Sequence, residues 1–218
     1  VPRLGFTTNF STLNQALRPH GIPVEMASGA FWGKVLGGAM QRHLDARYLL
    51  TVDYDTVFDW EDVAEMYRLM ETRPEIDALF AVQMKREGHG PMFTTQGADA
   101  SGRKTFGPEL MLQDTLECET GHFGLTMLRT AALRHLPRPW FGGMAPPAGE
   151  DGWDDGTVDD DIAFWRRWRA AGYSLHMASR VVLGHLELMV TWPGREMDPL
   201  YQPVGRYHAG GPPEGVWR

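Results

Sequence analysis

The sequence predicts an α/β fold, a mostly parallel central sheet flanked by helices. Three observations lead there: apolar runs the length of buried strands, amphipathic stretches of helical period, and the regular alternation of the two. With 218 residues and 43% hydrophobic content, the chain is long enough to bury a sizeable core. We read it as a single domain over 1–218, with an irregular Pro/Gly-rich tail from about residue 192.

Taken in order, residues 4–8 read as a first strand and 12–17 as a short helix stopped by Pro19 and Gly21. Residues 22–26 suggest a second strand, weakened by Pro23. Ser28 is a candidate cap for a helix over 31–43, in which Phe31, Val35, Leu36 and Met40 repeat at helical spacing. The run Tyr48-Leu49-Leu50-Thr51-Val52 is the clearest buried strand. Asp59 then caps a helix with Val63, Met66, Tyr67 and Met70 on one face, ended by Pro74. A strand over 76–82 follows. Residues 85–110 read as a hairpin or excursion. A strand over 124–128 and a short helix ended by Pro137 come next. The remaining expectations are a loop over 142–157, a helix over 159–171 stopped by Gly172, and short strands over 174–177 and 181–183.

Charge is distributed unevenly. There are 28 acidic and 21 basic residues, a net −7. Seven of the acids, Glu150, Asp151, Asp154, Asp155, Asp159, Asp160 and Asp161, crowd into one stretch that holds no base. Such density marks a solvated loop, a cation site or both. No basic stripe suited to nucleic acid is present. No apolar run reaches transmembrane length, and the first residues lack the apolar core of a signal peptide. The single cysteine, Cys118, excludes an intrachain disulfide and a cysteine zinc site, and fits a reducing, cytoplasmic setting.

The most informative motif is Asp53-Tyr54-Asp55, directly after the strand over 48–52. In an extended chain, alternation puts Asp53 and Asp55 on one side. Two hard oxygen ligands at that spacing suit a divalent cation, and such a cation suits a phosphate-bearing substrate. Taken alone, the pair also fits a turn with exposed acids. Asp159-Asp160-Asp161 opens a helix, where one acid suffices for capping and the dipole. Three adjacent acids repel, which raises the pKa of one and suits it to act as a general base. His185, after the run Val181-Val182-Leu183-Gly184, reads either as structural or as a metal ligand. His122 lines the same cleft or packs in the core. Trp140, Phe141 and Trp153 flank the acidic loop, where they pack or stack on sugar. Ser28-Gly29-Ala30-Phe31-Trp32-Gly33-Lys34 opens a helix without the pattern of a P-loop, yet Lys34 is placed to meet a phosphate there.

In this order, Asp53-Tyr54-Asp55, the segment from Gly121 to Arg129, the run from Asp160 to Tyr173 and Gly184-His185 resemble the GT-A fold glycosyltransferases, particularly family-2-like members. The resemblance covers roughly residues 6–188 and implies a Rossmann-like nucleotide-diphospho-sugar transferase fold. It implies that Asp55 and His185 bind Mn²⁺ or Mg²⁺, with Asp53 near the metal or the ribose. It implies that Asp160 or Asp161 is the catalytic carboxylate, in place of the family's usual glutamate. It also implies that Thr7, Thr8 and Asn9 cradle the nucleotide base. The expected activity is hexosyl transfer from a nucleotide-diphosphate sugar to an acceptor hydroxyl, the acceptor being a glycan, lipid or protein. A nucleotidyltransferase of related architecture is the nearest rival, although a Gly-rich basic loop after the first strand is missing. A non-catalytic sugar- or metal-binding module is the rival from another class.

Overall fold

The computed structural model describes residues 12–86, 90–95, 112–146 and 156–217. A five-stranded sheet forms its centre, in the order β1 (Tyr48–Val52), β5 (Leu125–Arg129), β3 (Ala78–Val82), β6 (Leu175–Val182), β4 (Thr115–Glu117). Two small ladders accompany it. One joins β2 (Thr56–Val57) to β7 (Gly184–His185), and the other joins β8 (Met189–Pro193) to β9 (Pro199–Pro203).

This corrects the expectation of a mostly parallel sheet. Among the described residues only β3 and β6 pair in parallel. β1 and β3 do run the same way, as their strand–helix–strand alternation suggested, but they are not neighbours. β5 lies between them and is antiparallel to both. Local sequence pattern reports where a strand is, not which strand it pairs with, and β5 arrives from far along the chain.

Helices cover both faces of the sheet. On one, α2 (Trp60–Thr72) inserts Val63, Met66, Leu69 and Met70 against Leu79, Ala81, Leu125 and Met127. Residues 12–16 are helical and add Leu13 and Ala16 to this cluster. On the other face sit α1 (Trp32–Arg42), α3 (Thr130–His135) and α4 (Asp160–Ala170), around Phe80, Phe123 and Leu128. Alternate residues of β3 serve the two cores: Ala78, Phe80 and Val82 one, Leu79 and Ala81 the other. Phe164, Trp165 and Trp168 are fully buried core residues, and truncating such an aromatic to alanine costs about 3–5 kcal/mol.

Several boundaries follow local chemistry. Asp59 and Asp62 close a reciprocal capping box at the start of α2, at 3.1 and 3.0 Å. Ser28 caps nothing, and α1 begins at Trp32 after an extended Phe31. Residues 22–26 form no strand, and the two short strands expected over 174–183 are one continuous β6. The tail is more ordered than its Pro content suggests. β8 and β9 form a hairpin and α5 (Val204–Gly210) follows. Pro193, Pro199 and Pro203 stand at strand ends, where a missing N–H costs the ladder little. Among the described residues no helix is long and apolar enough to cross a membrane. The strand expected over 4–8 and most of the loop expected over 142–157 lie outside the described residues.

Candidate active site

β1 delivers the acids. At its end the Asp53 N–H donates to the Gly124 carbonyl (3.1 Å), and the Thr56 N–H donates back to the Asp53 carbonyl (3.3 Å). The chain therefore turns across 53–56 instead of staying extended. Tyr54 is exposed at the turn and Asp55 is buried. Beyond the turn, Thr56 pairs with His185 and Val57 with Gly184. The Leu186 N–H donates to the Asp55 carbonyl at 2.7 Å. Backbone pairing thus clamps together two residues that are far apart in sequence. Gly184 permits the approach, since a Cβ there would stand 3.2 Å from Val57 Cβ.

The side chains meet within this clamp. His185 Nε2 lies 3.3 Å from Asp55 Oδ2. His185 Nδ1 lies 2.8 Å from the Met84 carbonyl, an acceptor only, so Nδ1 carries a proton and donates. In the neutral ring, Nε2 would then aim a lone pair at a carboxylate. A cation between them removes that conflict, whether a proton or a metal ion. The Asp55 carboxylate accordingly raises the His185 pKa, and the Met84 carbonyl adds to the effect. Arg86 supplies a second positive partner, with Nη1 3.1 Å from the same Asp55 Oδ2.

One carboxylate and one imidazole are a fitting donor pair for Mn²⁺ or Mg²⁺ held jointly with a diphosphate. Such metals are bound through one or two carboxylates plus substrate phosphates more often than by an all-protein cage. Among the described residues no group of three His, Cys, Asp or Glu side chains is gathered to hold a metal.

Asp53 and Asp161 extend this acidic cluster. Burial pushes the Asp53 pKa up to about 6, and the Asp55 charge adds to the shift. Burial likewise pushes Asp161 up to about 6, with Asp159 and Asp53 contributing repulsion. That last contribution puts Asp53, at the end of β1, within electrostatic reach of Asp161, at the start of α4. Asp161 Oδ1 accepts from the Ile162 N–H at 2.7 Å. Asp160 lies against α1: a Cβ on Gly33 would stand 2.2 Å from Asp160 Oδ2 and 2.8 Å from Phe141 Cβ. The Asp160 carboxylate therefore abuts the first turn of α1.

Trp32 opens α1 beside these acids. Its Nε1–H points at Asp53 Oδ1 at 3.5 Å, and its ring meets Phe123 and Phe141 edge-on at 5.5 and 5.4 Å. About 40% of the residue stays exposed, so the indole presents a free surface next to Asp53.

Other expected site residues fall differently. His122 is buried with both ring nitrogens engaged: Nε2 donates to the Ala81 carbonyl (2.8 Å) and Nδ1 accepts from the Gly124 N–H (2.9 Å). Burial lowers its pKa to about 4. It is a neutral structural histidine that sets the Asp53 turn through Gly124, with no nitrogen left for a ligand. Lys34 lies exposed on α1, its ammonium 5.0 Å from the Phe31 ring centroid. Trp140 is a core residue whose Nε1–H donates to the Leu136 carbonyl at 3.1 Å. Thr7, Thr8, Asn9 and Trp153 lie outside the described residues.

Arg86 and Trp32 escaped the reading of the sequence. Arg86 follows a buried strand, as the acids follow β1, which is a usable sign of an edge residue facing a cleft. Trp32 stands in a helix whose Gly33 and Gly37 both approach Phe141, a sign of close packing at the exposed Trp.

No family model matches this chain, and no curated protein does. Among solved structures, A197 from STIV is similar in fold. It superposes with a TM-score of 0.55 at 13% identity, covering 89% of this chain and 86% of that one.

Proposed function

We propose that this protein is a metal-dependent glycosyltransferase, moving a sugar from a nucleoside-diphosphate sugar to an acceptor hydroxyl. One observation carries the proposal. Asp55 and His185 touch, and the charge of Asp53 beside them reaches Asp161, so residues from three distant segments gather in one acidic cluster.

Asp55 and His185 would hold Mn²⁺ or Mg²⁺, with Asp53 close by. When bound there, the ion would supply positive charge that stabilises a leaving diphosphate. Asp161 is the preferred general base, because burial makes its carboxyl more basic, whereas the Asp160 carboxylate lies against Gly33 of α1. With a pKa of about 6, Asp161 is ionised at neutral pH yet more basic than an ordinary carboxylate. The acceptor oxygen bonds to the anomeric carbon as its proton passes to Asp161. The bond from that carbon to the diphosphate breaks, and the electron pair leaves with the nucleoside diphosphate. Trp32, exposed beside Asp53, offers an apolar face to a sugar ring. The buried Cys118 thiol is in keeping with a cytoplasmic setting.

Product analysis tests this reading. The protein is incubated with Mn²⁺ and a panel of nucleotide sugars, and the released nucleotide is identified. Free nucleoside diphosphate, lost in Asp55→Ala, supports it. Pyrophosphate would indicate attack at phosphorus and a nucleotidyltransferase instead. No turnover and no sugar-nucleotide binding would reject it.

A further inference from the structure

Asp55 already has a cation. Its buried carboxylate oxygen Oδ2 is shared between His185 Nε2 at 3.3 Å and Arg86 Nη1 at 3.1 Å. The two basic partners differ in freedom. His185 is fixed by the β2–β7 pairing and by its bond to the Met84 carbonyl. Arg86 sits on a long stem with a side chain 47% exposed, while that of Asp55 is 7% exposed. One partner is built in and the other is able to leave.

We propose that Arg86 is the resident counter-cation of Asp55 and a ligand for the donor's diphosphate, so that metal and nucleotide bind interdependently. This rests on the sugar-transfer reading given above. A divalent ion at Asp55 Oδ2 and a guanidinium on the same oxygen repel each other. Metal arriving alone must displace Arg86. Metal arriving with a diphosphate meets a different balance, because the guanidinium gains phosphate oxygens for bidentate, charge-assisted hydrogen bonds.

Arg86 is also kept near the cleft once it leaves Asp55. It lies within electrostatic reach of the Tyr54 hydroxyl and of Glu187. Among the described residues the buried Glu187 Oε1 has no hydrogen-bond partner, so an acceptor lies within electrostatic reach of the guanidinium. Linkage makes the coupling reciprocal: the factor by which nucleotide strengthens metal binding equals that by which metal strengthens nucleotide binding.

The test is Mn²⁺ binding followed by electron paramagnetic resonance of the free ion. Wild type, Arg86→Gln and Arg86→Lys are compared with Mn²⁺ alone and with Mn²⁺ plus ADP, GDP, UDP, CDP or dTDP. Arg86→Gln should bind Mn²⁺ alone about tenfold tighter than wild type. It should also lose most of the enhancement that the favoured nucleotide gives wild type. Arg86→Lys, which keeps the charge, should stay near wild type with Mn²⁺ alone. Equal Mn²⁺ affinity of wild type and Arg86→Gln, with nucleotide-enhanced binding intact in both, would overturn the Arg86 role and leave sugar transfer standing. Absence of Mn²⁺ binding in every protein under every condition would overturn both readings.

Discussion

Thr56 stands opposite His185 in a two-residue ladder, and that register holds His185 Nε2 3.3 Å from Asp55 Oδ2. The acid and the imidazole are therefore positioned by backbone pairing and not by side-chain packing alone. Disturbing the ladder should uncouple them while leaving the main sheet intact.

Gly184→Val tests that dependence. Even a Cβ at this position would press on Val57 at 3.2 Å, and a branched side chain presses harder. The variant should lose about tenfold or more in turnover, since small displacements of reacting groups are costly. Global stability should fall by only about 1 kcal/mol, because β2 and β7 lie outside the five-stranded sheet. Denaturant melts and initial rates on one preparation separate the two effects.

Asp161→Asn should remove most activity, about 10²-fold or more, as expected for a missing general base. It should also raise the melting temperature at pH 7.5 by about 3 °C. The sign follows from the pKa. Asp161 titrates at about 6 in the folded protein, well above an ordinary aspartate, so its charged form is disfavoured by folding. That adverse contribution is absent at low pH and enters as pH rises through 6. The stabilisation by Asn should accordingly fade as pH falls toward 4. A variant equally active, or no more stable at pH 7.5, would count against the assigned environment.

The pH–rate profile gives a second reading of the same pair. Asp53 and Asp161 both titrate near 6, and the Asp53 charge is among the groups that raise Asp161. Turnover should rise with pH and level off above about 7, its acidic limb centred near 6. Asp53→Asn should shift that limb downward, because it removes a repelling charge from beside Asp161. An acidic limb that does not move would show that the two carboxylates act independently.

Gly33→Ala probes the contact between α1 and α4. The added carbon would lie 2.2 Å from Asp160 Oδ2 and 2.8 Å from Phe141 Cβ. Overpacking of this kind costs about 1–3 kcal/mol. Chemical denaturation should show that loss, whereas Gly38→Ala, whose Cβ would meet only the tip of Arg42 at 3.7 Å, should not.

Much of this was legible in residue patterns because the responsible forces are local. The Asp59 cap, the apolar stripe of α2 and the acids after β1 each sit within a few residues of their cause. Sheet direction was not legible: whether Tyr48–Val52 pairs with Ala78–Val82 or with Leu125–Arg129 depends on three-dimensional packing. The hairpin in the tail was hidden because Pro193, Pro199 and Pro203 lower strand propensity without blocking a strand end. In the site, Asp53, Asp55, His185 and Asp161 carried motif signals. Arg86 and Trp32 stood in no motif and carried only weaker signs of position, since their place depends on a neighbour folded from elsewhere. His122 misled for the opposite reason: a histidine before a strand looks available until both nitrogens are found engaged.

The most direct measurement is a thermal-shift titration of wild type and Asp55→Ala with ADP, GDP, UDP, CDP and dTDP, each with and without Mn²⁺. One nucleotide should stabilise wild type only when Mn²⁺ is present, by about 2.7 kcal/mol at a hundredfold excess over Kd, and that gain should vanish in Asp55→Ala. Stabilisation that ignores Mn²⁺ or survives in Asp55→Ala, or no stabilisation by any nucleotide, would contradict metal-assisted sugar transfer at this cleft.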